Sequence, residues 1–156
     1  MSFAVEILEF EPARLLTLEI ATTVERFQAD LSTAFGTLTG ALIEAGVKLA
    51  GPAVCAFLES ADDPDRLLIA AGVPFEEALE PSDGMTIEDF PGGRALVGVH
   101  YGSYDELPRA SVEMLEWVTE SGYERSQAPL YQRYVHSMSD AVSPDELVTE
   151  LVVFLA

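Results

Sequence analysis

GGRALVGVHYGSYDELPRASVEMLEWVTESGY, residues 92–123, is the stretch whose reading decides the fold. Its first part, Ala95 to Tyr101, is β-branched and aromatic and predicts a strand. A turn at Gly102 and Ser103 follows, with Ser103 in a helix-capping position. From Tyr104 the period changes. Leu107, Ser111, Met114, Leu115 and Val118 recur at three- and four-residue steps and make one apolar helical stripe, and Gly122 stands where the helix should stop. The unit is strand, turn and helix, in that order.

Working outward, Val5 to Phe10 alternates apolar and acidic residues and Leu15 to Ala21 does so more loosely, with EPAR between them, which predicts a hairpin or a pair of edge segments. Thr22 and Thr23 can cap the helix that follows, whose stripe is Val24, Phe27, Leu31, Phe35, Leu38, Leu42 and Ala45 and whose end is Gly46. Gly36 and Gly40 lie inside it, each costing about 1 kcal/mol against alanine, so the expectation is that another backbone approaches there. GPAVCAFLES (51–60) reads as a strand, ADDPD (61–65) as a turn, and RLLIAAGVPF (66–75) as a strand with Pro74 at its end. After the polar connector EEALEPSDG the order repeats: strands at Met85 to Phe90 and Ala95 to Tyr101, the helix, then strands at Pro129 to His136 and Leu147 to Leu155.

The repeat shows in residues too. DPDRLLIAAGVPF (63–75) and SPDELVTELVVFL (143–155) align at an offset of eighty, and Arg14 with Leu16 matches Arg94 with Leu96 at the same offset. The expected architecture is α+β: one domain, 1–156, of two pseudo-symmetric β-α-β-β units (1–78 and 79–156), with antiparallel sheets and two long helices. Neither unit buries a helix and a sheet face well alone.

Composition excludes several function classes. With 27 acidic against 8 basic residues the net charge is −19, and the basic residues are scattered singly, so direct binding to a nucleic acid is not expected. No helix-turn-helix pattern is read in this chain, so a DNA-reading module is not expected in it. The acidity itself reads as solubility or a salt-rich cytoplasm, or else as a field that steers cations. The longest apolar runs fall far short of the roughly 20 residues of a membrane span, and MSFAVEILEF carries acids where a signal peptide would be basic, so the chain reads as cytoplasmic. Cys55, the one cysteine, excludes an internal disulfide and reads as a buried, inert thiol. His100 and His136 lack a second histidine at ligand spacing, so neither metal nor other cofactor is expected.

PGGRALVGVHYGSYDEL, SGYE at 121–124, YQRY at 131–134 and PDELVTELVVFL at 144–155 resemble the GyrI-like effector-binding family, also found as the ligand domain of AraC- and MerR-type multidrug regulators. The resemblance covers nearly the whole chain, from EPAR onward. It implies two units of the SHS2 type related by a pseudo-twofold, with a ligand cleft between the halves. The chain also departs from the family. Many members have an aromatic and a proline at the places of Val152 and Phe154, and drug-binding members carry a buried acid near what is here Gln132 or Arg133.

Candidate ligand-binding residues follow. Tyr101, Tyr104, Tyr131 and Tyr134 fall on or beside the elements that should line a cleft, where aromatic walls with polar tips suit flat lipophilic ligands and cations. Trp117 sits beside the stripe of the second helix, as core or as a ligand contact. Gln132 enters as one of the two residues, with Arg133, near which the family's acid falls. Glu150 shares a strand face with Val148, Val152 and Phe154; on a central strand it would mark a site, and on an edge strand it would point into water. His100 could meet Glu150 or be a satisfied core histidine. No catalytic residue is assigned: a nucleophile is not expected, since no G-x-S-x-G elbow is present, while acid–base chemistry by a glutamate with tyrosines in an apolar cleft stays open. The sequence therefore reads as a stand-alone domain that binds, sequesters or senses a lipophilic aromatic compound, cations included. The alternatives are a hydrolase of cyclopropane-bearing toxins using the same cleft, and a gyrase-inhibitor-like module with a protein partner.

Overall fold

The computed structural model describes residues 4–58, 66–136 and 146–156. The turn expected at 61–65, the last residues of the 51–60 stretch, and the repeat residues at 63–65 and 143–145 lie outside the described residues. Among these the elements run β1 Val5–Phe10, β2 Ala13–Thr22, α1 Phe27–Ala45, β3 Val54–Phe57, β4 Leu67–Phe75, β5 Met85–Phe90, β6 Gly93–Tyr101, α2 Leu107–Ser121, β7 Leu130–His136 and β8 Val148–Phe154. The fold is α+β with antiparallel strands and two helices, as expected, but the eight strands form one continuous sheet where the sequence predicts separate sheets in the two units.

Each helix ends where a glycine allows it to. Gly46 and Gly122 take the left-handed conformation, at φ 69° and 83°, which a residue with a side chain adopts at a cost. The start of α1 departs from expectation. It begins at Phe27, and neither threonine caps it: Thr23 Oγ1 accepts from the Arg26 amide in the turn before, while the Thr22 hydroxyl donates to Asp30 at 2.6 Å. Ahead of α2, Ser103 Oγ accepts from the Asp105 amide and caps a 3-10 turn, Tyr104–Glu106, that leads into the helix. Pro74 lies in β4 beyond the last β3 pair, Val54 with Gly72, so its missing N–H costs the ladder nothing on that side.

Strand order is β1-β6-β8-β7-β3-β4-β2-β5. The hairpin expected of β1 and β2 does not form. β1 pairs with β6 at one edge, β5 pairs with β2 at the other, and only β1 of the first two strands is an edge. The links between β1 and β2 and between β5 and β6 therefore cross, and they touch. A Cβ on Gly92 would lie 2.7 Å from Pro12 Cδ and 3.0 Å from Pro12 N, so only glycine fits at the crossing.

Alternation then divides the side chains between two cores. On the helix face, Leu16, Cys55, Ile69, Leu96, Leu151 and Val153 pack with Phe27, Leu31, Leu38 and Leu42 of α1 and Leu107, Met114 and Val118 of α2. On the other face, Leu15, Val54, Val97 and Val152 surround an aromatic cluster of Phe10, Phe90, Tyr131 and Phe154. Phe10 and Phe90 come from opposite edge strands, yet their ring centroids are 5.7 Å apart. Strand twist summed over the sheet curls it until the two edges meet.

Gly36 and Gly40 do not serve a backbone contact as expected. A Cβ at either would meet nothing within 4 Å.

Candidate functional site

A cleft of about 750 Å³ opens along one side of α1, within the 300–1,000 Å³ usual for small-molecule sites. α1 supplies Gln28, Leu31, Ser32, Phe35, Gly36 and Thr39; the loop before β3 supplies Leu49 and Gly51 to Ala53; Val73 of β4, Tyr104 and the end of β7, Tyr134 and Val135, complete the described lining. These elements are held in place independently. Tyr134 N–H donates to Ala53 O at 3.0 Å, and the Ala50 amide donates to Pro74 O at 2.9 Å, fixing the loop on the sheet.

The cleft has an aromatic wall. Tyr134 meets Phe35 edge-on at 5.5 Å between centroids, and Tyr104 tilts against Tyr134 at 5.3 Å. Below it runs a buried polar chain: the Tyr134 hydroxyl donates to Gln132 Oε1 at 2.6 Å, and Gln132 Nε2 donates to Ser111 Oγ at 2.9 Å. Gln132 is fully buried, and through it the floor of the cleft is tied to α2. Burial pushes the Tyr134 phenol well above its usual range, aided by the neighbouring Cys55 and Tyr104, and burial pushes the Cys55 thiol to about 12. Both groups stay protonated at neutral pH, so they offer dipoles and no base.

The structure brings together Tyr104, Tyr134 and, one layer below, Gln132. It places the other sequence-predicted residues elsewhere. Tyr101 is exposed at the end of β6, and Trp117 is half-buried against the helix-side core. The His100 ring Nε2 lies 3.1 Å from Ser103 O, steadying the turn into α2. Tyr131 belongs to the aromatic cluster on the face away from the helices. Glu150 is on that face too, in a central strand between β6 and β7, and its charge is met by Arg133 at 2.6 Å, whose guanidinium lies over the Phe10 ring. Neither reading of Glu150 from the sequence anticipated that partner. His100 pairs with Thr149 and so points to the opposite face from Glu150, which rules out their contact. Sequence reasoning missed Phe35, read as part of the α1 stripe, and the loop at 49–53, whose residues 51–53 read as the start of a strand that begins only at Val54. Gly36, read with Gly40 as marking a backbone approach, was a signal of this wall, but Gly40 carried the same signal and is not among the described lining residues.

A fold of this kind, with a lined cleft beside one helix, defines a class of small-molecule-binding domain. Residues 3–155 match the family described as the GyrI-like small molecule binding domain, and the chain belongs to it. Among solved structures, the C-terminal domain of EcmrR superposes with a TM-score of 0.84 at 14% identity, over 100% of this chain and 99% of that one. SAV2435 bound to tetraphenylphosphonium gives 0.64 at 10% identity, over 100% and 94%. A hydrolase from Listeria innocua gives 0.62 at 14% identity, over 97% and 91%. At these identities the likeness establishes the fold. No protein of curated function matches the sequence. Among the described residues, no helix is long and apolar enough to cross a membrane.

Proposed function

We propose that this domain binds or senses a lipophilic aromatic small molecule in the cleft between α1, Tyr104 and Tyr134. The observation that carries the reading is the cleft itself: a mostly apolar space of about 750 Å³, walled by Phe35, Tyr104 and Tyr134 and fixed by a buried polar chain. Its walls come from both halves of the chain, which supports a ligand site between two related units. So does the register. Leu16 lies opposite Val73 and Ile87, and Leu96, eighty residues later, lies opposite Val153 and Ile7, each partner shifted by the same eighty.

The test is a panel of aromatic compounds, tetraphenylphosphonium included, read by calorimetry and by the shift in melting temperature. Saturable binding is expected. Phe35→Ala removes one aromatic wall worth about 1–1.5 kcal/mol, so affinity should fall roughly tenfold with little change in fold. If no compound binds, the reading fails and a protein partner becomes the better one. The hydrolase alternative is weaker, because among the described residues none that lines the cleft is a carboxylate, histidine or cysteine. Incubation with a cyclopropane-bearing electrophile should show no water addition by mass spectrometry.

A further inference from the structure

We infer that the cleft selects uncharged aromatic compounds over cations of the same size, and that the Gln132 amide sets this preference. The inference rests on the reading of the cleft as a ligand site.

The chain carries 27 acidic residues, yet the fourteen lining residues among those described are all uncharged. Polarity there comes from hydroxyls and an amide, among them Gln28, Ser32 and Thr39. The layer below is neutral as well, and closed. Gln132 is fully buried, accepts from the Tyr134 hydroxyl at 2.6 Å on its oxygen and donates its own N–H to Ser111 Oγ at 2.9 Å. An amide has one acceptor end and one donor end, so it satisfies both neighbours without a net charge. A carboxylate there would offer only acceptors and would place a negative charge beneath the aromatic wall.

Among the described residues no counter-charge lines the cleft. Glu150, the acid nearest in the sheet register, lies on the opposite face and is already paired with Arg133. A cation entering the cleft would give up part of its hydration and find only ring faces in return, and a cation–π contact returns less than the removal of an unpaired charge from water costs. The overall charge of −19 does not offset this, because surface charges more than about 8 Å away are largely screened at physiological salt. That field gathers cations at the outer surface without holding them in the cleft.

The experiment uses a pair matched in shape: triphenylphosphine oxide, which is neutral, and methyltriphenylphosphonium, which is cationic. Each is titrated by calorimetry into the wild-type protein, Gln132→Glu and Glu150→Gln at pH 8.5 and physiological salt. In the wild type the neutral compound is expected to bind at least about tenfold more tightly. Gln132→Glu should shift the ratio towards the cation by about tenfold or more, and Glu150→Gln should leave it unchanged. Comparable or tighter binding of the cation by the wild type overturns the inference and leaves the ligand-site reading standing. An unchanged ratio in a Gln132→Glu protein with native circular dichroism also overturns it. Binding of neither compound, with no other aromatic compound binding, overturns the site reading itself. The wild-type ratio decides the charge preference even if the Gln132 variant does not fold.

Discussion

Gly36→Ala separates a glycine kept for space from one kept for packing. In a helix interior glycine is less favourable than alanine by about 1 kcal/mol, and Gly36 is the tenth residue of the nineteen in α1. The usual compensations are missing: its φ is not positive, and an added Cβ would meet nothing within 4 Å. Gly36→Ala should therefore stabilise the fold by up to about 1 kcal/mol, raising the melting temperature by about 2–4 °C for a chain of this size. Gly40→Ala, equally unencumbered but not part of the lining, should do the same. Gly92→Ala should do the reverse, because its methyl would fall 2.7 Å from Pro12 Cδ at the crossing of two links; overpacking of this kind costs about 1–3 kcal/mol. The assay is calorimetry of the three variants, with a ligand titration on each. Gly36→Ala alone should weaken a bulky ligand, since only there does the methyl enter the cleft wall, and Gly36→Leu should weaken it further. Destabilisation by Gly36→Ala, or equal loss of ligand from Gly40→Ala, would refute the reasoning.

Two further outcomes follow. Arg133→Met strips Glu150 of its partner in a half-buried position, where the side chains are 28% and 17% exposed, and should cost about 1–3 kcal/mol; Arg133→Met with Glu150→Gln should recover part of it, and a double-mutant coupling below about 0.5 kcal/mol would show the pair to be incidental. Stability should also fall in alkali. Burial raises the Cys55 thiol from 9.0 to about 12 and, with Glu88 and Asp89 nearby, the Tyr131 phenol from 10.0 to about 12, so the folded state binds more protons than the unfolded one in that window. The stabilisation is complete below pH 9 and is lost as pH rises towards 12; urea midpoints should decline across that range, and Cys55→Ala should flatten the start of the decline. A rise in midpoint there would contradict the assignment.

The sequence by itself determined which segments are strands and which are helices, because period two and period 3.6 are local properties of a chain. The stripes of α1 and α2 and the glycines at 46 and 122 needed no tertiary information, and the motifs from Gly92 to Phe154 sufficed to bring the family into view. Strand partners were another matter. β1 is joined to β2 by a short link and yet pairs with β6, a choice made by the crossing of the Pro12 and Gly92 links, whose close fit exists only once both halves have folded. The site was half legible for the same reason. Alternation along any strand puts Gln132 and Tyr134 on one face of β7 and Tyr131 and Arg133 on the other, but nothing local says which face the helices cover. That is decided by where α1 and α2 land, and it puts Tyr134 and Gln132 at the cleft while Glu150 pairs with Arg133 behind the sheet. Phe35 and Gly36 looked like one core residue and one flaw in a helix until the loop at 49–53 and Tyr104 closed a cleft around them, since a cavity belongs to several distant segments at once and to none of their sequences.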